Sequence, residues 1–190
     1  MKIKTLMVLT LVGLFITGCT STDSANKGDL KGAKTMANSP KVFGGTKVVQ
    51  IGIVVRDVAK SAKSYAKFFG VEVPKIIISE TEDKAKTRYY GKPTMARVRQ
   101  AFFNFDNISI ELLEPVGEPS TWKDFLDSRG EGFHHIAFEI KGMDDKIAKM
   151  QDMGIPLSQQ GRWTGGSGGR YAYFESEKQL AVILELLENF

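Results

Sequence analysis

Two glutamates lie inside otherwise apolar segments that are typical of β-strands. Glu111 is the second residue of the segment IELLE, and Glu185 is the second residue of LELLE. An ionised carboxylate in apolar surroundings is costly unless it is paired or binds a cation. Because the two glutamates occupy equivalent places in similar segments, the sequence indicates one cation shared by both.

A second pair of matching segments lies earlier in the two halves of the chain. Residues 50–55 read QIGIVV and residues 135–140 read HIAFEI, and each segment directly precedes an expected helix. The chain therefore contains two similar halves. Gln50 and His135 occupy one equivalent position in these halves, as Glu111 and Glu185 occupy another.

Hydrophobic periodicity predicts the elements that would position these residues. Alternating and β-branched runs predict strands, and apolar stripes at helical spacing predict helices. Each half has the order β-α-β-β-β, and its helix covers one sheet face, so the two bare faces can curve into a cleft. The predicted elements are strands Val48–Val55, Lys75–Ser79, Arg97–Phe105, Ile108–Glu114, Gly132–Ile140, Pro156–Arg162, Arg170–Glu175 and Ala181–Leu187, and helices Val58–Phe69, Ser120–Arg129 and Met143–Met153.

The composition is typical of a folded protein with one main domain. The 190 residues are 42% hydrophobic and 25% charged, and 26 basic and 22 acidic residues give a formal net charge of +4. This charge is too small to favour nucleic-acid binding, so no nucleic-acid partner is expected. The single cysteine excludes a disulfide framework and any zinc site made of cysteines alone.

The paired motifs resemble the vicinal oxygen chelate superfamily, which includes glyoxalase I, methylmalonyl-CoA epimerase, extradiol dioxygenases and bleomycin-resistance proteins. The resemblance covers Lys47 to Glu188, and the stretches Ile108–Gly117 and Gly130–Ile140 are most similar to the epimerase branch. It implies a glyoxalase-like α+β fold, in which paired βαβββ modules form a curved mixed sheet around a cleft. This domain would occupy residues 45–190.

The resemblance also implies a divalent metal site made of Gln50, Glu111, His135 and Glu185. With His neutral, this set carries a charge of about −2, which suits Zn, Ni, Co, Mn or Fe without choosing among them. The family usually has His where this chain has Gln50, so this amide is expected to be the weakest ligand or to stay unbound. The alternative is that both glutamates face solvent on edge strands and that His135 makes an ordinary hydrogen bond.

A hairpin turn predicts which side chains accompany Glu111. If Asp106-Asn107 is a two-residue turn, Phe102 lies across from Glu111. Gln100, Phe102 and Asn104 then share the metal-facing side of their strand and are candidate substrate-binding residues.

Two further features have more than one interpretation. Gly161–Gly169 is rich in glycine but lacks a phosphate-binding motif, so it is either a plain surface loop or a lid over the cleft with Trp163 as a wall. His134 is expected to face away from His135 and to pack against a helix.

The first 44 residues resemble the leader and tether of a bacterial lipoprotein. Residues 1–18 have a basic start and an apolar run too short to span a membrane, and they are predicted to be a cleaved signal peptide. Cys19 is the predicted lipidation site, with an ordinary cysteine as the alternative. Residues 19–44 form the predicted flexible tether. The protein is thus expected to be lipid-anchored in the bacterial cell envelope, on its periplasmic or cell-surface face.

The resemblance implies an isomerase or lyase that acts on a small oxygen-chelating molecule through an enolate, with Glu185 as base and Glu111 as the alternative. Two other interpretations stay open: a non-catalytic lipoprotein that binds a small ligand, and a structural lipoprotein. No acid lies near Thr94–Val98, where a true epimerase would have its second base, and an envelope location disfavours coenzyme A thioesters. The resemblance also allows a homodimer.

Replacing Cys19 with Ser should yield an uncleaved precursor without lipid, because the cysteine sulfur is the expected attachment atom. Membrane fractionation, gel mobility and fatty-acid labelling measure this directly. A variant that behaves like the parent in all three would contradict the lipoprotein interpretation.

Overall fold

The computed structural model describes residues 47–190. The expected signal peptide, Cys19 and the tether lie outside these residues. Within the described part of the chain, no helix is long and apolar enough to cross a membrane.

Both halves contain the predicted β-α-β-β-β order. The first half consists of β1 (Val48–Val54), α1 (Val58–Phe69), β2 (Ile77–Ile78), α2 (Glu82–Ala85), β3 (Arg88–Tyr89), β4 (Lys92–Pro93), β5 (Arg97–Asn104) and β6 (Ser109–Val116). After the connecting helix α3 (Thr121–Arg129), the second half consists of β7 (Gly132–Glu139), α4 (Met143–Asp152), β8 (Leu157–Trp163), β9 (Gly169–Phe174), α5 (Glu177–Leu180) and β10 (Ile183–Asn189). The sequence missed α2, β3, β4 and α5, because elements of two to four residues are too short to show a period.

The strands form one ten-stranded sheet in the order β2-β5-β6-β1-β7-β10-β9-β8-β3-β4. The two first strands, β1 and β7, pair antiparallel at its centre, and each is parallel to the last strand of its own half. The halves are therefore related by an approximate twofold axis between β1 and β7. The sheet curls into a half-barrel, so the predicted fold is confirmed.

One helix from each half covers the outer face of the sheet. Val58, Ala62 and Ala66 of α1 pack against Ala101 and Leu112. In the second half, the buried methionines of α4 pack in the same way against β9 and β10. The helices thus leave the concave face free for the site.

Helix α3 packs on the concave face. Trp122 contacts Val98, Leu113 and Tyr173, and its Nε1 donates a hydrogen bond to Tyr173 Oη at 3.2 Å. Ser120 caps the helix by accepting a hydrogen bond from the backbone N–H of Lys123. α3 therefore forms part of the wall of the cleft.

The two sides of the curled sheet are linked to each other. β3 belongs to the first half in sequence but pairs with β8 of the second half. Thr164, which follows β8, donates a hydrogen bond to Glu80, which follows β2. The unpredicted segment from α2 to β4 therefore closes the cleft on the side away from the central strands.

Candidate functional site

A β-bulge precedes each candidate residue of the central strands. The pairing of β1 with β7 leaves Val49 unpaired directly before Gln50 and His134 unpaired directly before His135. A bulge bends a strand and changes the direction of neighbouring side chains. The two bulges are equivalent under the internal symmetry, so in both halves a β-bulge positions a polar side chain.

A small residue lies opposite each of these side chains. Gln50 pairs with Ala137, and His135 pairs with Gly52. A methyl group on Gly52 would lie 1.9 Å from Cε1 of His135, so the imidazole ring lies directly against the β1 backbone. This close approach requires glycine at position 52.

The structure brings His135 together with both glutamates. Nε2 of His135 lies 3.1 Å from Oε2 of Glu185 and 3.6 Å from Oε2 of Glu111. His135 is fully buried, and each glutamate is 3% exposed. Both glutamates lie on interior strands, since β6 is flanked by β5 and β1, and β10 by β7 and β9. The alternative that they face solvent on edge strands is wrong.

Two of these clustered atoms have no hydrogen-bond partner among the described residues: Nε2 of His135 and Oε2 of Glu185. Their separation of 3.1 Å allows an ion pair when His135 is protonated. As their side chains stand, no three His, Cys, Asp or Glu residues within 47–190 form a ready metal site. The donor chemistry fits a divalent ion, and binding would need side-chain adjustments.

Burial dominates the electrostatics of this cluster. Burial raises the pKa of Glu111 to about 7, and the neighbouring Glu185 adds to this rise. His135 lowers the pKa of Glu111, as does Gln100, which donates a hydrogen bond to Oε1. Burial lowers the pKa of His135, but Glu185 and Glu111 outweigh it, so the pKa is raised overall. His135 and Glu111 therefore retain protons at higher pH than isolated groups would.

His134 packs against a helix, as predicted, but it also contacts His135. Its ring packs edge-on against Phe125 of α3 and against Tyr173. Although the two histidines are consecutive in a strand, the bulge brings their Nδ1 atoms to 2.9 Å. The expectation that His134 faces away from His135 is therefore wrong. When Nδ1–H of His135 donates to His134, Nε2 of His135 presents its lone pair to the carboxylates.

The cluster borders a cavity of about 640 Å³ on the concave face. Six of the predicted site residues line this cavity: Gln50, Gln100, Phe102, Glu111, Trp163 and Glu185. His135 is buried and does not itself line the cavity. Phe102 lies across from Glu111, as the Asp106-Asn107 turn predicts. Asn104 does not line the cavity; it is exposed near that turn and accepts a hydrogen bond from Ser109.

The family follows from the sequence together with this fold. The sequence model of the Glyoxalase/Bleomycin resistance protein/Dioxygenase superfamily matches residues 49–174. The chain belongs to this superfamily. It is 26% identical over 138 residues to the uncharacterized protein YqjC of Bacillus subtilis, covering 73% of this chain and 89% of YqjC.

This superfamily member is also related to methylmalonyl-CoA epimerases. It is 26% identical over 140 residues to the ethylmalonyl-CoA/methylmalonyl-CoA epimerase of Cereibacter sphaeroides, covering 73% of this chain and 94% of that enzyme. Its fold matches the crystal structure of methylmalonyl-CoA epimerase from Mycobacterium tuberculosis with a TM-score of 0.56 at 20% identity, covering 80% of this chain and 92% of that one.

Several cavity residues of this glyoxalase-superfamily chain were missed by the sequence reasoning. These are chiefly Glu80, Trp122, Arg162, Tyr171 and Tyr173. Strand alternation could have identified the two tyrosines, because Tyr173 pairs with Glu185 and Tyr171 lies two residues away on the same face. Glu80 lies just beyond the predicted strand Lys75–Ser79, so strand alternation gave no prediction for its side chain.

Gly52→Ala should destabilise the domain by about 1–3 kcal/mol, because the added methyl group would overlap the buried His135 ring. Urea denaturation would measure this change. Gly165→Ala is the control, since no heavy atom lies within 4 Å of its added Cβ. If Gly52→Ala is as stable as the parent, His135 does not pack against Gly52 as described.

Proposed function

We propose that the protein is a membrane-tethered, divalent-metal-dependent enzyme of the isomerase type, with lyase chemistry as the related outcome, acting on a small oxygen-chelating substrate. The observation that carries this proposal is the buried group of Glu111, His135 and Glu185 beside the cavity. Two potential metal-binding atoms of this group, Nε2 of His135 and Oε2 of Glu185, have no hydrogen-bond partner among the described residues. The kinship with epimerases supports it, because epimerisation removes and returns a proton at carbon.

Members of this superfamily typically use a divalent metal. In this chain Glu111, His135 and Glu185 would hold the ion, with Gln50 as the weakest member of the set, because a neutral amide oxygen is a poorer ligand than a carboxylate. When bound, such an ion would supply Lewis-acid stabilisation of the negative charge that develops on the substrate oxygens.

Glu185 is the proposed base. Its Oε2 accepts no hydrogen bond from the described part of the chain, whereas one oxygen of Glu111 accepts a hydrogen bond from the amide of Gln100. Glu185 would take the proton from the carbon next to a substrate carbonyl, and in an isomerisation it would deliver this proton to the neighbouring carbon of the resulting enolate. Phe102 and Trp122 line the cavity wall and would exclude water from this carbon.

The second candidate is a lipoprotein that binds a small ligand in the same cavity without turnover. Two observations favour it. Position 50 carries an amide where the family usually has His, and buried apolar residues such as Ala96 and Val98 occupy the region where a second epimerase base was expected. In either case the ligand is a small molecule, and lipidation of Cys19 would anchor the protein in the cell envelope.

Metal affinity tests the site. Glu111→Gln and His135→Ala should each weaken binding of Mn, Co, Ni or Zn by more than the roughly 10–100-fold that loss of an outer-shell partner costs. Gln50→His should tighten binding, because imidazole is the stronger ligand. Titration calorimetry measures the affinities, and Glu118→Gln, an exposed site outside the cavity, is the control. If the wild-type protein contains no metal and none of the four ions changes its melting temperature, the proposed metal site is wrong.

Deuterium exchange tests the chemistry. The metal-loaded protein in heavy water should introduce deuterium into some of a panel of 2-hydroxy ketones, 2-oxo acids and β-dicarbonyl compounds, and mass spectrometry would detect it. Exchange should be lost in Glu185→Gln protein that still holds metal. Exchange that persists in this variant would exclude Glu185 as the base, and binding without any exchange would favour the non-catalytic candidate.

A further inference from the structure

The cavity contains a carboxylate that the proposed metal site does not use. Glu80 lines the cavity, and its Oε1 accepts a hydrogen bond from the hydroxyl of Thr164. Its Oε2 is buried and has no hydrogen-bond partner among the described residues. One oxygen of this carboxylate is therefore held in place, and the other is left unsatisfied.

The sheet topology places Glu80 across the cavity from the central strands. Glu80 follows the edge strand β2, and Thr164 follows β8 on the other side of the central strands, so their hydrogen bond links the two sides of the half-barrel. Gln50 and His135 lie on the two strands at the middle of the same sheet. In a curled sheet whose two sides approach each other, those sides lie opposite the central strands. The cavity therefore has polar groups at two separate ends, with Glu80 at one end and the His135 cluster at the other.

The wall between these ends is mostly apolar. It includes Ile77, Ile78, Val98, Phe102, Trp122 and Trp163. A cavity of about 640 Å³ with such a wall suits a small molecule with an apolar body and a polar group at each end.

No ion pair within residues 47–190 involves Glu80. A buried acceptor without a partner destabilises the protein, and more so when it is charged. A ligand that donates a hydrogen bond would remove this destabilisation on binding. A ligand ending in a carboxylate or phosphate would instead be repelled by the like charge.

We propose that Glu80, held by Thr164, binds a hydrogen-bond donor on the ligand: a protonated amine, or a hydroxyl with lower affinity. The ligand is thus a small molecule with an apolar body that ends in an amine or hydroxyl group. This inference rests on the cavity and does not require the metal or the proton transfer of the proposed function.

Three six-carbon probes test the inference: hexylamine, 1-hexanol and hexanoate. Binding to the full-length protein would be followed by nuclear magnetic resonance, with and without added metal. Hexylamine should bind most tightly and hexanoate least. Glu80→Gln should weaken hexylamine binding roughly tenfold or more, because a charge-assisted hydrogen bond is lost, while 1-hexanol binding should change little.

Three variants complete the test. Glu72→Gln removes an exposed carboxylate outside the cavity and should leave hexylamine binding unchanged. Thr164→Val should weaken this binding less than Glu80→Gln does, because Thr164 only positions the carboxylate. If Glu111→Gln weakens hexylamine binding and Glu80→Gln does not, the amine binds at the His135 cluster and the inference is wrong. Melting temperatures would confirm that each variant is folded.

The outcomes for this inference and for the proposed function are distinguishable. A protein that binds no metal but selects hexylamine through Glu80 would contradict the proposed function and support this inference. If the protein binds metal and exchanges protons, but Glu80→Gln leaves hexylamine binding unchanged, the proposed function is supported and this inference is wrong.

Discussion

The contact between the His135 ring and the bare backbone at Gly52 is the constraint on which the site depends. Only glycine allows the imidazole to lie against the neighbouring strand, and only that placement brings Nε2 within reach of both carboxylates. The bulge at His134 sets the direction of the ring. The other half repeats this arrangement with Gln50 opposite Ala137, where the small residue is alanine and the polar side chain is a neutral amide. The antiparallel pairing of β1 with β7 therefore serves both to join the two halves and to build the cluster.

Burying two carboxylates beside an imidazole is unfavourable unless their charge is balanced. Within residues 47–190, this balance comes from His135 and from the amide of Gln100, and it is incomplete because Glu185 Oε2 has no hydrogen-bond partner there. The helices on the outer face bury apolar side chains in both halves, and this burial stabilises the domain against the electrostatic cost. Such an uncompensated polar group in a stable fold is typical of a binding site.

The internal repeat explains the paired site residues, and departures from the repeat explain the closed cavity. The segment from α2 to β4 has no counterpart in the second half, and it crosses to β8 at the opposite edge of the sheet. This crossing, with the Thr164–Glu80 hydrogen bond, converts an open cleft into a cavity with two polar ends. The twofold symmetry therefore accounts for the His135 cluster, whereas asymmetry accounts for Glu80.

The amino-acid sequence alone predicted the repeat, the helices α1 and α4, the long strands and the pairing of Phe102 with Glu111. These features follow from apolar periodicity and from the chemistry of a two-residue turn, which are local properties. It also singled out the glutamates, since a charged residue in an apolar strand interrupts a local pattern, and His135, through its matching place in the repeat and the family resemblance. Only the tertiary structure revealed the two bulges, the close approach at Gly52, the short elements α2 to β4 and the unsatisfied carboxylate of Glu80. Each of these depends on pairing between strands far apart in the chain, and a strand of two residues has no periodic pattern from which its partner could be predicted.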